Sequence, residues 1–214
     1  MSIEQKFILT GDLNFMGLGD AKHVFKRIRS ELWAADAVIS NLECCFFADE
    51  SKTNNQANTG HLYERSGQRA GFYAQPAAAE ALKAANITMV GNANNTNFGD
   101  EAIRSTIAVL NDQQIAFSGV GTNWEEACQP ALKTINGIRL GLIQRTSVYW
   151  PSNHEASASH PGGAAVGGRG GDGGGASSEG HPDAVLRGHG RGWLGEQHWM
   201  GVQRRLLRLV RGRM

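Results

Sequence analysis

Three polar groups stand just after apolar runs. Asp12 follows "KFILTG", Glu43 follows "DAVISNL", and Asn92, Asn94 and Asn95 follow "NITMVG". Two carboxylates and neutral amide oxygens are the donor set of a hard or borderline divalent cation. The carboxylates neutralise the ion. An amide oxygen adds a ligand without adding charge, so positive charge is left over for an anionic substrate. Taken singly, each group has an ordinary explanation. A lone Asp after a strand caps or turns the chain, "NLE" is uninformative, and asparagine tolerates the left-handed backbone of turns. Three such groups at three successive strand ends are what favours a shared site.

The elements that must position them alternate. Apolar runs at 6–10, 36–43, 86–92 and 115–120 read as strands. Segments 21–34, 76–85 and 99–112 carry apolar residues at helical spacing, with Asp20 as a candidate cap and Pro76 at a first helical position. Residues 49–69 read as a long polar loop. Residues 131–146 hold two apolar runs joined by Asn136-Gly137, a hairpin signal. Strands alternating with helices predict an α/β fold with a largely parallel sheet. Ligands of such sheets bind outside the carboxyl ends of the strands, where Asp12, Glu43 and the asparagines fall.

The composition changes near His160. Of 28 glycines, 16 lie in 161–214, a segment without Ile, Phe, Tyr, Thr, Asn, Lys or Cys. Residues 1–160 carry 13 Lys+Arg and 16 Asp+Glu, whereas 161–214 carry 8 Arg and 4 acids. Such a glycine-rich stretch has little apolar surface to offset chain entropy. It reads either as a genuine Gly/Arg tail or as a product of translation out of frame, and the missing residue types fit the second better. The chain thus divides into an incomplete α/β domain, 1–155, and a low-complexity tail, 156–214, with the folded part ending between Trp150 and His160. A net charge of +1 argues against nucleic acid as a partner. Three cysteines, two of them adjacent, give neither a disulfide framework nor metal-knuckle spacing. No signal segment or membrane-length apolar run is visible, so a cytoplasmic protein without a transmembrane segment is expected.

"GDLNFMG" (11–17), "ADAVISNLE" (35–43), the run from Phe72 to Leu132 and "INGIRLGLI" (135–143) together resemble the CapA-type poly-γ-glutamate capsule synthesis proteins. The resemblance covers about 1–150. It implies a fold similar to the calcineurin-like metallophosphoesterases, a divalent metal ion, and an anionic polymer or small phosphate-containing substrate. It implies Asp12, Glu43 and Asn95 as metal ligands, with Asn41, Asn94 and Thr96 in support. Two features depart from the family pattern. Thr96 stands where the family usually has histidine after the asparagine pair, and a threonine hydroxyl is too weakly acidic to protonate a leaving group near neutral pH. The family's later histidines fall in the Gly/Arg segment, and no role is carried to His181, His189 or His198. The resemblance therefore implies a capsule-biosynthesis protein with an impaired hydrolase site. The alternative is a non-catalytic polymer-handling protein. Nucleic-acid binding through the single Arg-Gly-Gly of the tail is a weaker third.

Overall fold

The computed structural model describes residues 4–18, 20–48, 72–147 and 155–166. The long loop at 49–69 and the tail from 167 onward lie outside these residues. Four parallel strands form the central sheet: β1 (Phe7–Leu13), β2 (Ala37–Leu42), β5 (Ile87–Gly91) and β6 (Ala116–Ser118), in the order β1-β2-β5-β6. The parallel α/β class expected from the alternation is what the chain adopts.

The two faces of this sheet are covered differently. On one face lie α1 (Arg29–Trp33) and α2 (Ala79–Ala84), the latter continuing a 3₁₀ turn at Pro76–Ala78. There Val38, Leu42, Ile87 and Val90 pack with Leu32, Ala79, Leu82 and Leu110, the last from α3 (Asp100–Asp112). On the other face Ala37, Ile39 and Met89 pack with Ala131, Leu140 and Leu142 of an antiparallel hairpin, β8 (Ala131–Ile135) and β9 (Ile138–Leu142). Among the described residues, helices thus flank one face and the hairpin the other. With both faces covered, every residue of β2 is buried, which is why it reads as a continuous apolar run and not as an alternation. The hairpin turns where the sequence signal placed it. Asn136 (φ 48°) and Gly137 (φ 80°) are both left-handed, the backbone that Asn-Gly adopts at least cost.

Two expectations are corrected. The helix expected over 21–34 is reduced to Arg29–Trp33, preceded by turns, and Val24 and Ile28 are about half exposed. Ala21, Phe25 and Leu32 pack on the core, but Val24 and Ile28 find no such surface, so the apolar spacing gives anchor points and not a continuous helix. The boundary near His160 comes too early, because Pro161 to Ala165 are buried. Strand β10 (Gly162–Gly163) pairs antiparallel with β7 (Val120–Gly121). This corner is built from small residues: Ala127 of α4 (Trp124–Ala127), Ala156 and Ala164 form one apolar cluster. A side chain at Gly162 would overlap the backbone, 2.7 Å from Ala156 Cα, and one at Gly121 would lie 2.7 Å from the Glu126 carbonyl carbon. Backbone packs against backbone here, so the absence of Ile and Phe is no obstacle to burial.

The short strand β3 (Cys45–Phe46) pairs in parallel with β4 (Tyr73–Ala74) and buries Cys44 and Cys45 completely. Burial pushes their thiols up, to about 12 for Cys44 and about 11 for Cys45. Both should therefore stay protonated and inaccessible, while Cys128 is only half-buried. A thiol reagent at neutral pH is expected to consume one equivalent quickly in the native protein and three after denaturation. Fast reaction of all three without denaturant would contradict the burial.

Candidate functional site

The polar groups sit at the carboxyl end of the sheet, and a β-bulge aims the first of them. Leu9 pairs with Ile39, but Asp12, not Gly11, pairs with Asn41. Strand β1 thus spends three residue steps where β2 spends two. Side chains alternate across a strand, so an unbulged β1 would put Asp12 on the helix-covered face. The extra residue brings it to the face that carries Ile39 and Asn41. Asn41 Nδ2 donates to Asp12 Oδ1 at 3.0 Å. The sequence reading ended this strand at Gly11-Asp12; it runs on to Leu13.

One row then crosses the sheet: Asp12, Asn41, Gly91 and Ser118 are register partners. Above Gly91 lies Gln144, two residues beyond β9 and buried. Its Nε2 donates to Asn41 Oδ1 at 2.6 Å, and its Oε1 accepts the Ala93 backbone N–H at 2.9 Å. Sequence reasoning passed over Gln144. The available signal was a polar residue directly after the apolar run "RLGLI". Gly91 makes room for it, since a Cβ there would lie 2.6 Å from Gln144 Cδ. Gly91→Ala is expected to expel the Gln144 amide and lower stability by about 1–3 kcal/mol, the usual cost of overpacking. A urea midpoint unchanged from the parent would show that Gln144 moves aside freely.

The asparagines belong to the turn after β5. Asn92 Nδ2 and Asn94 Nδ2 both donate to the Leu42 carbonyl, at 2.7 and 2.6 Å. Asn97 Nδ2 in turn donates to the Asn92 carbonyl. The turn is thereby tied to the end of β2, beside Glu43, whose own N–H donates to the Leu13 carbonyl at 2.8 Å. Asp12, Asn41, Glu43 and Asn94 therefore share one corner of the fold, with Asn95 the next residue of the turn. Asp12 is exposed, Glu43 and Asn95 are half-buried, and Asn41, Asn94 and Thr96 are buried.

Asn92 Oδ1, Asn94 Oδ1 and Thr96 Oγ1 are buried without a hydrogen-bond partner among the described residues. A buried polar atom left unpaired costs about 1–3 kcal/mol. Three of them in five consecutive residues mark this turn as unfinished by the described residues. No group of three or more His, Cys, Asp or Glu side chains is placed to hold a metal ion among the described residues. The donors at this edge are two carboxylates and amide oxygens.

A parallel α/β sheet with an acid-and-amide cluster at its carboxyl edge is the class of protein that fold and site define. Residues 5–173 match the family described as "Bacterial capsule synthesis protein PGA_cap", and the chain belongs to that family. It is similar to "Capsule biosynthesis protein CapA" of Bacillus anthracis, 22% identical over 129 residues, which are 59% of this chain and 29% of that relative. The match thus spans less than a third of the relative's length. No helix among the described residues is long and apolar enough to cross a membrane.

Proposed function

We propose that the carboxyl edge of the sheet holds a divalent cation, that the cation grips an anionic polymer or phosphate-containing ligand of capsule biosynthesis, and that hydrolysis is impaired. The observation that carries this reading is the unfinished turn. Asn94 Oδ1 is buried without a partner among the described residues, beside the strand end that leads to Glu43. A cation would supply what that oxygen lacks. Asp12, Glu43 and Asn95 are the ligands of this proposal, and Asn94, in support of them, adds Oδ1 as the buried oxygen that the cation would satisfy. The all-oxygen set fits a hard cation and would make one half of a metallophosphoesterase-like two-metal site.

When bound, the cation supplies Lewis acidity and residual positive charge. The chain's own residues hold and orient it. Asn41 steadies Asp12, and the Asn92 and Asn94 amides fix the turn against Leu42. Thr96 favours the polymer-handling side of this reading, because its buried hydroxyl cannot serve as the proton donor to a leaving group.

The test is binding of poly-γ-glutamate to the full chain with and without Mn²⁺. Retention that requires the metal, is reversed by a chelator and is lost in Asp12→Ala is expected. Binding that is indifferent to metal and to Asp12→Ala would remove the cation from the proposal.

A further inference from the structure

We propose that Gln144 is a positioning residue that fixes which end of the Asn41 amide faces Asp12, an inference resting on the reading of Asp12 as a cation ligand. Three hydrogen bonds run head to tail. The Ala93 backbone N–H donates to Gln144 Oε1 at 2.9 Å, Gln144 Nε2 donates to Asn41 Oδ1 at 2.6 Å, and Asn41 Nδ2 donates to Asp12 Oδ1 at 3.0 Å.

The sense of this chain is set at its start. A backbone N–H can only donate, so the Gln144 atom that meets it must be the carbonyl oxygen. The planar side-chain amide then turns its NH₂ toward Asn41. Asn41 must accept with its oxygen, and that leaves its NH₂ for Asp12. Each amide is oriented by the one before it, and the first is oriented by a group with no choice. Gln144 and Asn41 are both buried, so water does not compete for these bonds. The Asn41 oxygen is turned toward Gln144 and its NH₂ toward Asp12, which makes Asn41 a holder of Asp12.

The surrounding fold keeps Gln144 in place. Gly91 leaves the space beneath it. Two residues on, the Thr146 N–H donates to the Ala164 carbonyl at 3.0 Å, and the Val166 N–H donates to the Thr146 carbonyl at 2.8 Å. The segment beyond His160 thus anchors the chain as it leaves Gln144.

Gln144→Glu keeps the size and the acceptor for Ala93 but turns a second acceptor toward Asn41 Oδ1. Asn41 is then expected to rotate and present its carbonyl to the Asp12 carboxylate. Gln144→Met keeps the volume and removes both polar ends, so Asn41 is released without being driven round. The readout is the side-chain NH₂ signal of Asn41 in ¹⁵N-labelled, metal-free full chain, assigned by its loss in Asn41→Asp.

In the parent this NH₂ should exchange slowly with solvent. In Gln144→Met its exchange should quicken at least about tenfold, and in Gln144→Glu it should stay slow while the signal shifts as the NH₂ turns to the new carboxylate. In both, the backbone amides of β2 should stay protected and Mn²⁺ affinity should fall about 10–100-fold, as when a group orienting a metal ligand is lost. Parental exchange in folded Gln144→Met, or an unshifted Asn41 signal in folded Gln144→Glu, would overturn the proposal. If the parent binds no Mn²⁺, the ligand reading of Asp12 fails, and the Asn41 signal still decides the orientation.

Discussion

Gly162→Val is expected to detach the segment 155–166 and lower stability by about 3 kcal/mol, the upper end of the usual overpacking cost. The clash is with the backbone of Glu155 and Ala156, which no rotamer change relieves. Losing β10 would strip the Gly162–Gly121 and Gly163–Val120 pairing and uncover Ala127 and Ala164. It would also free Thr146, whose N–H and carbonyl are both held by this segment. The effect should therefore reach the candidate site as a loosened Gln144. Val166→Ser is the control, since Val166 is about half exposed, and should change stability by no more than about 0.5 kcal/mol. A urea midpoint shift shared equally by the two variants, or absent in both, would mean that the segment is not packed.

That segment marks where sequence reasoning stopped. The alternation of strands and helices was legible because β2, β5 and α3 carry strong apolar patterns of one period each. The Asn136-Gly137 hairpin was legible because its turn needs two left-handed residues. The packing of 161–166 was not, since it depends on glycine and alanine letting backbones approach, and composition counts only large side chains. The signal for α4 was present but unread: Asn123 caps it by accepting the Glu126 N–H, and the Glu126 carboxylate accepts from Thr122.

The candidate site was legible as residue types at strand ends. Its aim was not. The bulge that turns Asp12 toward Asn41 is a register event between strands, and only a glycine within the run, Gly11, hints at it. Gln144 was missed for a related reason. It reaches the site from the hairpin on the far side of the sequence, and the hydrogen bond to Asn41 spans 103 positions.

The full chain supplied with Mn²⁺ is expected to turn over a generic phosphodiester no faster than its Asp12→Ala variant. Absence of a general acid alone costs about 10²–10⁴-fold. Thr96 cannot fill that role, and its hydroxyl is buried without a partner among the described residues. Two-metal hydrolysis needs ligands on both ions, and the described residues hold no group of three or more acidic, histidine or cysteine side chains placed for a metal. Turnover that requires divalent metal and disappears in Asp12→Ala would overturn this expectation and make Thr96 an acceptable neighbour for catalysis.

The most direct measurement is a calorimetric Mn²⁺ titration of the full chain, of Asp12→Ala and of Glu43→Gln, each checked for folding by circular dichroism. A cation held at the carboxyl edge of the sheet requires saturable binding of one ion per chain, weakened at least about tenfold, or about 1.4 kcal/mol, by each substitution. No saturable binding, or binding that both folded variants retain unchanged, would contradict a cation site built on Asp12 and Glu43.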